Sequence, residues 1–348
     1  MTFPDYLSDH LARFPQMRPE DVFKLCYQGA RGAEHLLRDP DAARRYFDAE
    51  WEATPTRSAP LSLPLSDGFC RVDLGAWKAA GFSPDHLFSL FVMTAEQKAK
   101  EDTLPLLLQQ ADACFHEGNA PFSLAEWETA LAAYRKAGTP PVHHSDAYRN
   151  AYAPAYRVVS RALLRVLPIL AAIEERRPHH APLILSIDGR AASGKSTLAD
   201  TLAHLLGASV IRMDDFFLPP PLRTPARLSE AGGNIHYERF LEEVLPFLSD
   251  PAPFSYGVFD CGTMSITHRR TVGDAPVRIV EGSYAQHPIF GDYAHLKVFS
   301  TVDEEEQLTR IVKRNGHTLA ERFRAEWIPM EESYFQAFCI PTSAHIRV

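Results

Sequence analysis

A chain of 348 residues has room for two domains, and a hydrophobic share of 45% beside a charged share of 23% is that of sequences that fold throughout. The net charge of −8 argues against a general nucleic-acid binder. Five cysteines, at positions 26, 70, 114, 261 and 339, are scattered and odd in number; with no C-x-x-C pair they suggest neither a disulfide framework nor a zinc site and are read as reduced thiols.

The opening stretch MTFPDYLSDHLARFP is acidic and lacks a long apolar core, so it does not read as a signal peptide. No apolar run is long enough to span a bilayer. The expectation is a cytoplasmic protein with no membrane contact.

Residues 1 to about 150 read as a mostly α-helical domain. Apolar spacing predicts helices over Pro19 to Leu37, Asp41 to Trp51, Ser83 to Lys100, Thr103 to Glu117 and Ser123 to Ala137, separated by proline-rich breaks. Ser83-Pro84-Asp85 is a helix start, and Ser123 with Glu126 fits a capping box. Two patches concentrate glycine and polar groups: Tyr27 to His35, and Pro141 to Arg149 running on to Tyr156 and Arg157. Gln28, Glu34, His35, His143 and His144, with Glu50 or Arg71 nearby, are candidates for a second site; helix capping, packing and solvated polar faces are the competing explanation.

From Pro154 to Arg177 the spacing of Val158, Leu163, Leu164, Val166, Leu167 and Leu170 predicts a helix bent at Pro168. Arg176 to His180 reads as a polar linker; its paired histidines lack further ligands at metal-site spacing. The chain therefore divides into a helical domain over 1–154, a helical bridge and linker over 155–180, and a second domain over 181–348.

The second domain opens on its strongest signal. Leu183, Ile184, Leu185 and Ile187 read as a strand buried on both faces, and GRAASGKS from Gly189 to Ser196 fits G-x-x-x-x-G-K-[ST]. Leu198, Leu202, Leu205 and Leu206 then recur at helical spacing up to Gly207. Strand, glycine loop and helix in this order make a phosphate-binding loop: backbone N–H groups of Gly189, Arg190, Ala191, Ala192, Ser193, Gly194, Lys195, Ser196 and Thr197 surround the phosphates, Lys195 adds a mobile positive charge, and the Ser196 hydroxyl can ligate magnesium.

Ser209 to Met213 reads as the next strand, ending at Asp214 and Asp215, where a carboxylate faces the ligand crevice of an open α/β sheet. The loop Arg223 to Asn234, with Gly232-Gly233-Asn234, suggests a lid over an acceptor, and a helix follows from about Tyr237 to Leu248. Two more strands, Arg278 to Val280 running into Glu281 and Leu296 to Val302 ending at Asp303, complete a parallel sheet. The helix Glu304 to Arg314 carries Arg310 and Arg314, which near such a loop can clamp transferring phosphate.

Taken together, GRAASGKS, the strand ending MDDFF, the Phe259-Asp260 pair followed by His268-Arg269, the Glu281-Gly282 pair and the Arg310 to Arg314 helix resemble the uridine kinase family, itself similar to phosphoribulokinase and bacterial pantothenate kinase. The resemblance covers about residues 180 to 348. It implies an α/β fold, a doubly wound parallel-sheet P-loop kinase domain, here preceded by the helical domain. It further implies ATP and Mg2+ as cofactors and transfer of the γ-phosphate to a hydroxyl. Asp214 matches the aspartate that takes the acceptor's proton, Lys195, Arg310 and Arg314 the groups that stabilise transferring charge, and Ser196 and Glu281 the magnesium positions, the latter through water. Asp215, Phe259, Asp260, His268 and Arg269 fall where such kinases bind their acceptor. The closing Thr342 to Val348 resembles the family's final strand, with His345 in place of aspartate, and Asn315 stands where the lid often has aspartate.

The expected partner is a small acceptor, a nucleoside or similar metabolite, with no nucleic acid and no membrane; a homo-oligomer is compatible with the sequence. The alternative is a nucleotide-gated interaction protein whose helical half engages a partner. Such a switch has no need of Asp214, Asp260 and His268 together. There is no Asn-Lys-x-Asp motif of a GTPase and no Leu-Ser-Gly-Gly-Gln signature of a transporter ATPase.

Overall fold

The structure, a computed structural model, describes residues 2–37, 39–97, 102–118 and 120–348. The chain forms two compact units, Met1–Leu164 and Arg165–Val348. The division falls inside the stretch read as a bridge.

In the first unit, helices span Phe3–Arg13, Pro19–Arg31, Pro40–Ala53, Leu74–Ala79, Pro84–Glu96, Leu104–His116, Leu124–Lys136 and Asp146–Tyr152. Ser83 and Ser123 act as N-caps, their hydroxyls accepting from the backbone N–H of Asp85 and Glu126, each at 3.2 Å. The last turn expected of the Ser83 helix, residues 98–100, lies outside the described residues. The helices share a core built on Phe23, Phe115, Trp127 and Tyr148.

Helical spacing did not reveal a three-stranded antiparallel sheet in this unit: β1 (Ser62–Pro64), β2 (Phe69–Asp73) and β3 (Tyr156–Ser160), in that spatial order. The last of these corrects the helix expected from Pro154. Adjacent β-branched Val158 and Val159 favour a strand, and pairing of Cys70 with Val159 and Arg71 with Val158 places the segment against β2. The leucines counted with Val158 belong to a separate turn, Leu163–Val166, and a helix, Leu167–Arg176. Pro168 lies in the first turn of that helix, where its missing N–H costs nothing, and does not bend it.

The second unit is an α/β domain. Its strands are β4 (Leu183–Gly189), β5 (Ser209–Arg212), β6 (Phe254–Asp260), β7 (Ser265–Val272), β8 (Val277–Glu281), β9 (Leu296–Ser300) and β10 (Ile346–Arg347). Five of them form one parallel sheet in the order β10-β9-β4-β8-β5, so the chain winds from central β4 to one edge and then to the other. Every residue of β4 is buried, as a strand covered on both faces requires. β6 and β7 form a separate antiparallel ribbon that the sequence reading did not resolve into strands.

Arg278 interrupts the apolar pattern of β8 yet is fully buried. Its guanidinium donates to the carbonyls of Phe247, Leu248, Asp250, Pro251, Ala252 and Gly273, so the charge is met by oriented dipoles in place of water. Among the described residues no helix is long and apolar enough to cross a membrane.

Candidate functional site

Register positions the site. Gly189 pairs with Ser300 of β9, and Glu281 of β8 lies level with Ile187 of β4 and Arg212 of β5, so the strand ends converge where the glycine loop leaves β4. A Cβ at Gly189, where φ is +144°, would sit 1.9 Å from the Ser300 carbonyl oxygen, so the loop can leave the sheet there only with glycine. The helix Lys195–Leu206 follows, and its first-turn amides have no intrahelical acceptor.

The carbonyls of the loop are held one after another by side-chain donors. Lys195 Nζ donates to Gly189 O at 2.7 Å and Arg190 O at 2.8 Å, and Gln307 Nε2 to Ala191 O at 3.0 Å. Arg310 Nη1 donates to Ala192 O at 3.2 Å and Arg165 Nη1 to Ser193 O at 2.9 Å. Five consecutive carbonyls are thereby occupied by donors, whereas the amides of Gly189, Arg190, Ala191 and Ser193, expected to face phosphate, are engaged by Asp188, Ser300, Glu331 and Arg190; the amides left to an anion are those of Ala192 and of Gly194 onward. Lys195 is 8% exposed and tied to two carbonyls, in place of the mobile charge the sequence suggested.

Ser196 is exposed and donates from Oγ to Glu281 Oε1 at 2.9 Å; Arg212 Nη1 holds Glu281 Oε2 at 3.1 Å. Burial pushes the Glu281 carboxyl above its ordinary range, opposed by the Ser196 hydrogen bond and the Lys195 charge, and the charge of Asp214 adds to the rise. Asp214 is exposed at the end of β5, near enough to be felt by Glu281 on one side and Cys261 on the other.

Asp215 is turned the other way from Asp214, toward the β6–β7 ribbon. It is buried, accepts from Tyr256 Oη at 2.9 Å and Arg270 Nη1 at 2.6 Å, and burial raises its pKa. Its side chain ties the β6–β7 ribbon to the turn after β5. Of the other predicted acceptor residues, Phe259 is buried within β6, and Asp260 Oδ1 accepts from the Gly262 and Thr263 amides, each at 2.8 Å, shaping the turn of the ribbon. Those bonds hold the Asp260 carboxyl below its ordinary range. His268 is exposed on β7, and Arg269 bonds the Ser255 carbonyl. The turn at Asp260 and Cys261 thus approaches Asp214, whereas Phe259 and Arg269 are engaged within the ribbon.

The expected lid loop is cross-linked internally. Arg227 donates to Gly233 O and Ile235 O, pairs with Glu238, and stacks 3.5 Å from the Tyr237 ring centroid. A Cβ at Gly233 would lie 1.8 Å from Arg227 O, which accounts for the glycine. The two arginines expected to clamp phosphate part company: Arg310 reaches the glycine loop, while Arg314 bonds Asn315 Oδ1 at 2.7 Å at the end of its helix.

Several site residues escaped sequence reasoning. Glu331 Oε2 accepts from the Ala191 amide at 2.9 Å and Oε1 from Ser283 Oγ at 2.6 Å, and Glu332 pairs with Arg190 at 2.5 Å. Asp188, whose pKa burial raises to about 6, accepts from the amides of Gly189, Tyr284 and Gln286 and from Tyr334 Oη. An acid inside the apolar run LILSIDG was the one available signal. Glu331, Gln307 and Arg165 lie far along the chain from the loop and carry no local pattern.

In the first unit the two polar patches meet. Asp21 accepts from His144 Nδ1 at 2.7 Å and from Ser145 Oγ at 2.6 Å; His144 Nε2 lies 2.7 Å from Tyr156 Oη; Arg71 Nη2 donates to Gln28 Oε1 at 2.9 Å. His143 is exposed, His35 packs edge-on to Tyr27, and Glu50 pairs with Arg157. The side chain of Glu34 lies outside the described residues. Asp21, His144, Ser145, Tyr156, Gln28 and Arg71 are thus joined to one another, as in a buried structural network.

Burial lowers the pKa of both His144 and His10 to about 4. A histidine held neutral in the fold takes up its proton on unfolding, so stability is fully present above about pH 6.5 and falls as the pH drops toward 4, by about 3 kcal/mol for each. Chemical denaturation of the full chain between pH 7 and 4 is expected to show this loss, with a shallower slope in His144→Gln. Equal slopes would show that His144 does not titrate on unfolding.

No family model matches the chain. Similar solved structures include a candidate uridine kinase from Bacillus stearothermophilus, 19% identical with a TM-score of 0.41, the match covering 53% of this chain and 96% of that one. Another is a candidate fructose transport system kinase from Silicibacter sp., 21% identical with a TM-score of 0.44, covering 54% of this chain and 98% of that one.

Proposed function

We propose that the second unit binds ATP and transfers its γ-phosphate to a hydroxyl of a nucleoside or similar small metabolite. The observation that carries this reading is the convergence, at one end of the sheet, of the glycine loop, the Ser196 and Glu281 oxygens 2.9 Å apart and the exposed Asp214 carboxylate. Phosphoryl transfer needs positioning and charge neutralisation more than covalent chemistry. Loop amides and Lys195 hold the phosphates, and Asp214 accepts the acceptor's proton beside the Asp260 turn.

Ser196 and Glu281 are the residues that would hold magnesium, Glu281 through water; the ion's part is to neutralise charge on the β- and γ-phosphates. Two hard oxygen donors fit an ion that completes its shell with phosphate and water. Among the described residues no group of three or more His, Cys, Asp or Glu side chains is gathered to make a fuller cage.

A screen of nucleosides, sugars and vitamins for acceptor-stimulated ADP release tests the proposal. ATP binding without stimulation by any acceptor would favour a nucleotide-gated interaction protein.

The two lid arginines give a finer test. Arg310→Ala should lower turnover about 10²-fold, and more than it weakens ATP binding, because charge on the transferring group is largest in the transition state. Arg314→Ala should do less, since its side chain is directed to Asn315. Steady-state kinetics beside calorimetric ATP affinity checks both; an Arg310→Ala loss confined to affinity would refute the division.

A further inference from the structure

Arg165 is the first residue of the second unit and precedes the sheet altogether. Its Nη1 donates to Ser193 O at 2.9 Å and its Nη2 to Ser300 Oγ at 3.0 Å, and that hydroxyl in turn donates to the same Ser193 carbonyl at 3.3 Å, so Arg165 holds it both directly and through Ser300. A Cβ on Gly194 would lie 3.1 Å from the same Nη1, so the guanidinium covers the loop at the residue that starts the helix. Arg310 occupies the neighbouring carbonyl, of Ala192, and pairs with Glu306. Among the described residues no carboxylate pairs with Arg165, which is partly withdrawn from water; burial and the nearby charge of Arg310 both work against its protonated form. Two cations on successive carbonyls of one loop, only one with a counter-ion, are a costly arrangement unless an anion is bound close by.

We infer that Arg165 is a positioning residue of the nucleotide site: it fixes the Ser193 carbonyl so that the amides beyond it present to a phosphate chain, whose charge offsets its own. The inference rests on the ATP-binding reading and deepens it. Because the Gly194 and Lys195 amides, which follow the Ser193 amide bonded to Arg190 O, would serve the part of the phosphate chain that ATP and ADP share, Arg165 acts on both nucleotides alike. This separates it from a residue acting on the transferring γ-phosphate.

The test uses the full chain as wild type, Arg165→Ala and Arg165→Lys, with MgADP and MgATP affinities from calorimetry and melting temperatures with and without MgADP. Arg165→Ala is expected to bind both nucleotides about tenfold more weakly, the loss of a charge-assisted hydrogen bond. Its nucleotide-free melting temperature should stay within about 3 °C of wild type. Arg165→Lys, which keeps one charged donor for Ser193 O but cannot bridge to Ser300, should recover to within about threefold. Arg165→Ala affinities within twofold of wild type would overturn the inference. So would a fall in affinity that Lys does not relieve and that accompanies a large drop in nucleotide-free melting, since that marks a purely structural role. Wild-type protein that binds neither nucleotide would overturn the ATP reading first, and this inference with it.

Discussion

Lys195→Ala is expected to abolish phosphate transfer to any acceptor, a loss of at least about 10³-fold, with nucleotide affinity falling at the same time. Two effects combine. The ammonium supplies positive charge at the glycine loop, and it also holds the carbonyls of Gly189 and Arg190. Its loss therefore loosens the first residues of the loop as well as removing a charge. The sheet and its core do not depend on it, so melting should fall by only a few degrees. Turnover measured beside thermal melting checks both halves, and unchanged turnover would remove the basis for assigning the loop to phosphate.

Asp214→Asn should retain MgATP binding while transfer drops by roughly 10²- to 10⁴-fold, the range of general acid–base catalysis. Ser196 and Glu281 remain in place to serve the ion, and among the described residues no side-chain hydrogen bond or ion pair ties Asp214 to the loop. Asp215→Asn should behave differently. Its buried carboxylate joins the buried Tyr256 and the half-buried Arg270, and an amide there leaves the Arg270 cation without its partner. The expected result is a lower melting temperature, with a smaller loss of turnover than in Asp214→Asn. Calorimetric MgATP affinity, turnover and melting for both variants decide the matter. Loss of MgATP binding in Asp214→Asn together with loss of turnover alone in Asp215→Asn would reverse the two assignments.

Much of the second unit was legible because its elements are local patterns. An apolar run, a glycine loop and a leucine repeat are contiguous, and the strand ends at Asp214 and Glu281 follow from the same alternation of strand and helix. The small sheet of the first unit was not legible. β1 has three residues, β2 five, and β3, the second partner of β2, lies beyond most of the helices, so pairing between segments distant in the chain decides their state. Asp214 and Asp215 show the same limit at finer scale. Adjacent carboxylates in MDDFF cannot be told apart by composition; one turn of backbone sends the first to solvent and the second to Tyr256. Arg190 is a variable position of the glycine pattern, yet its ion pair with Glu332 is one of the contacts that hold the loop to the helix Ile328–Ala337.

The row of carbonyl partners along the glycine loop bears on how such motifs travel between proteins. The eight residues GRAASGKS contain one of the side-chain donors, Lys195; the others stand at 165, 283, 300, 307 and 310, on either side of the motif and outside it. Grafting the octapeptide onto another strand and helix would carry its consensus intact and leave three of its five carbonyls to solvent. Two chains with identical loops can therefore differ in how much ordering entropy a phosphate ligand must still overcome on binding, and in this chain part of that ordering is done by a residue that precedes the first strand of the sheet.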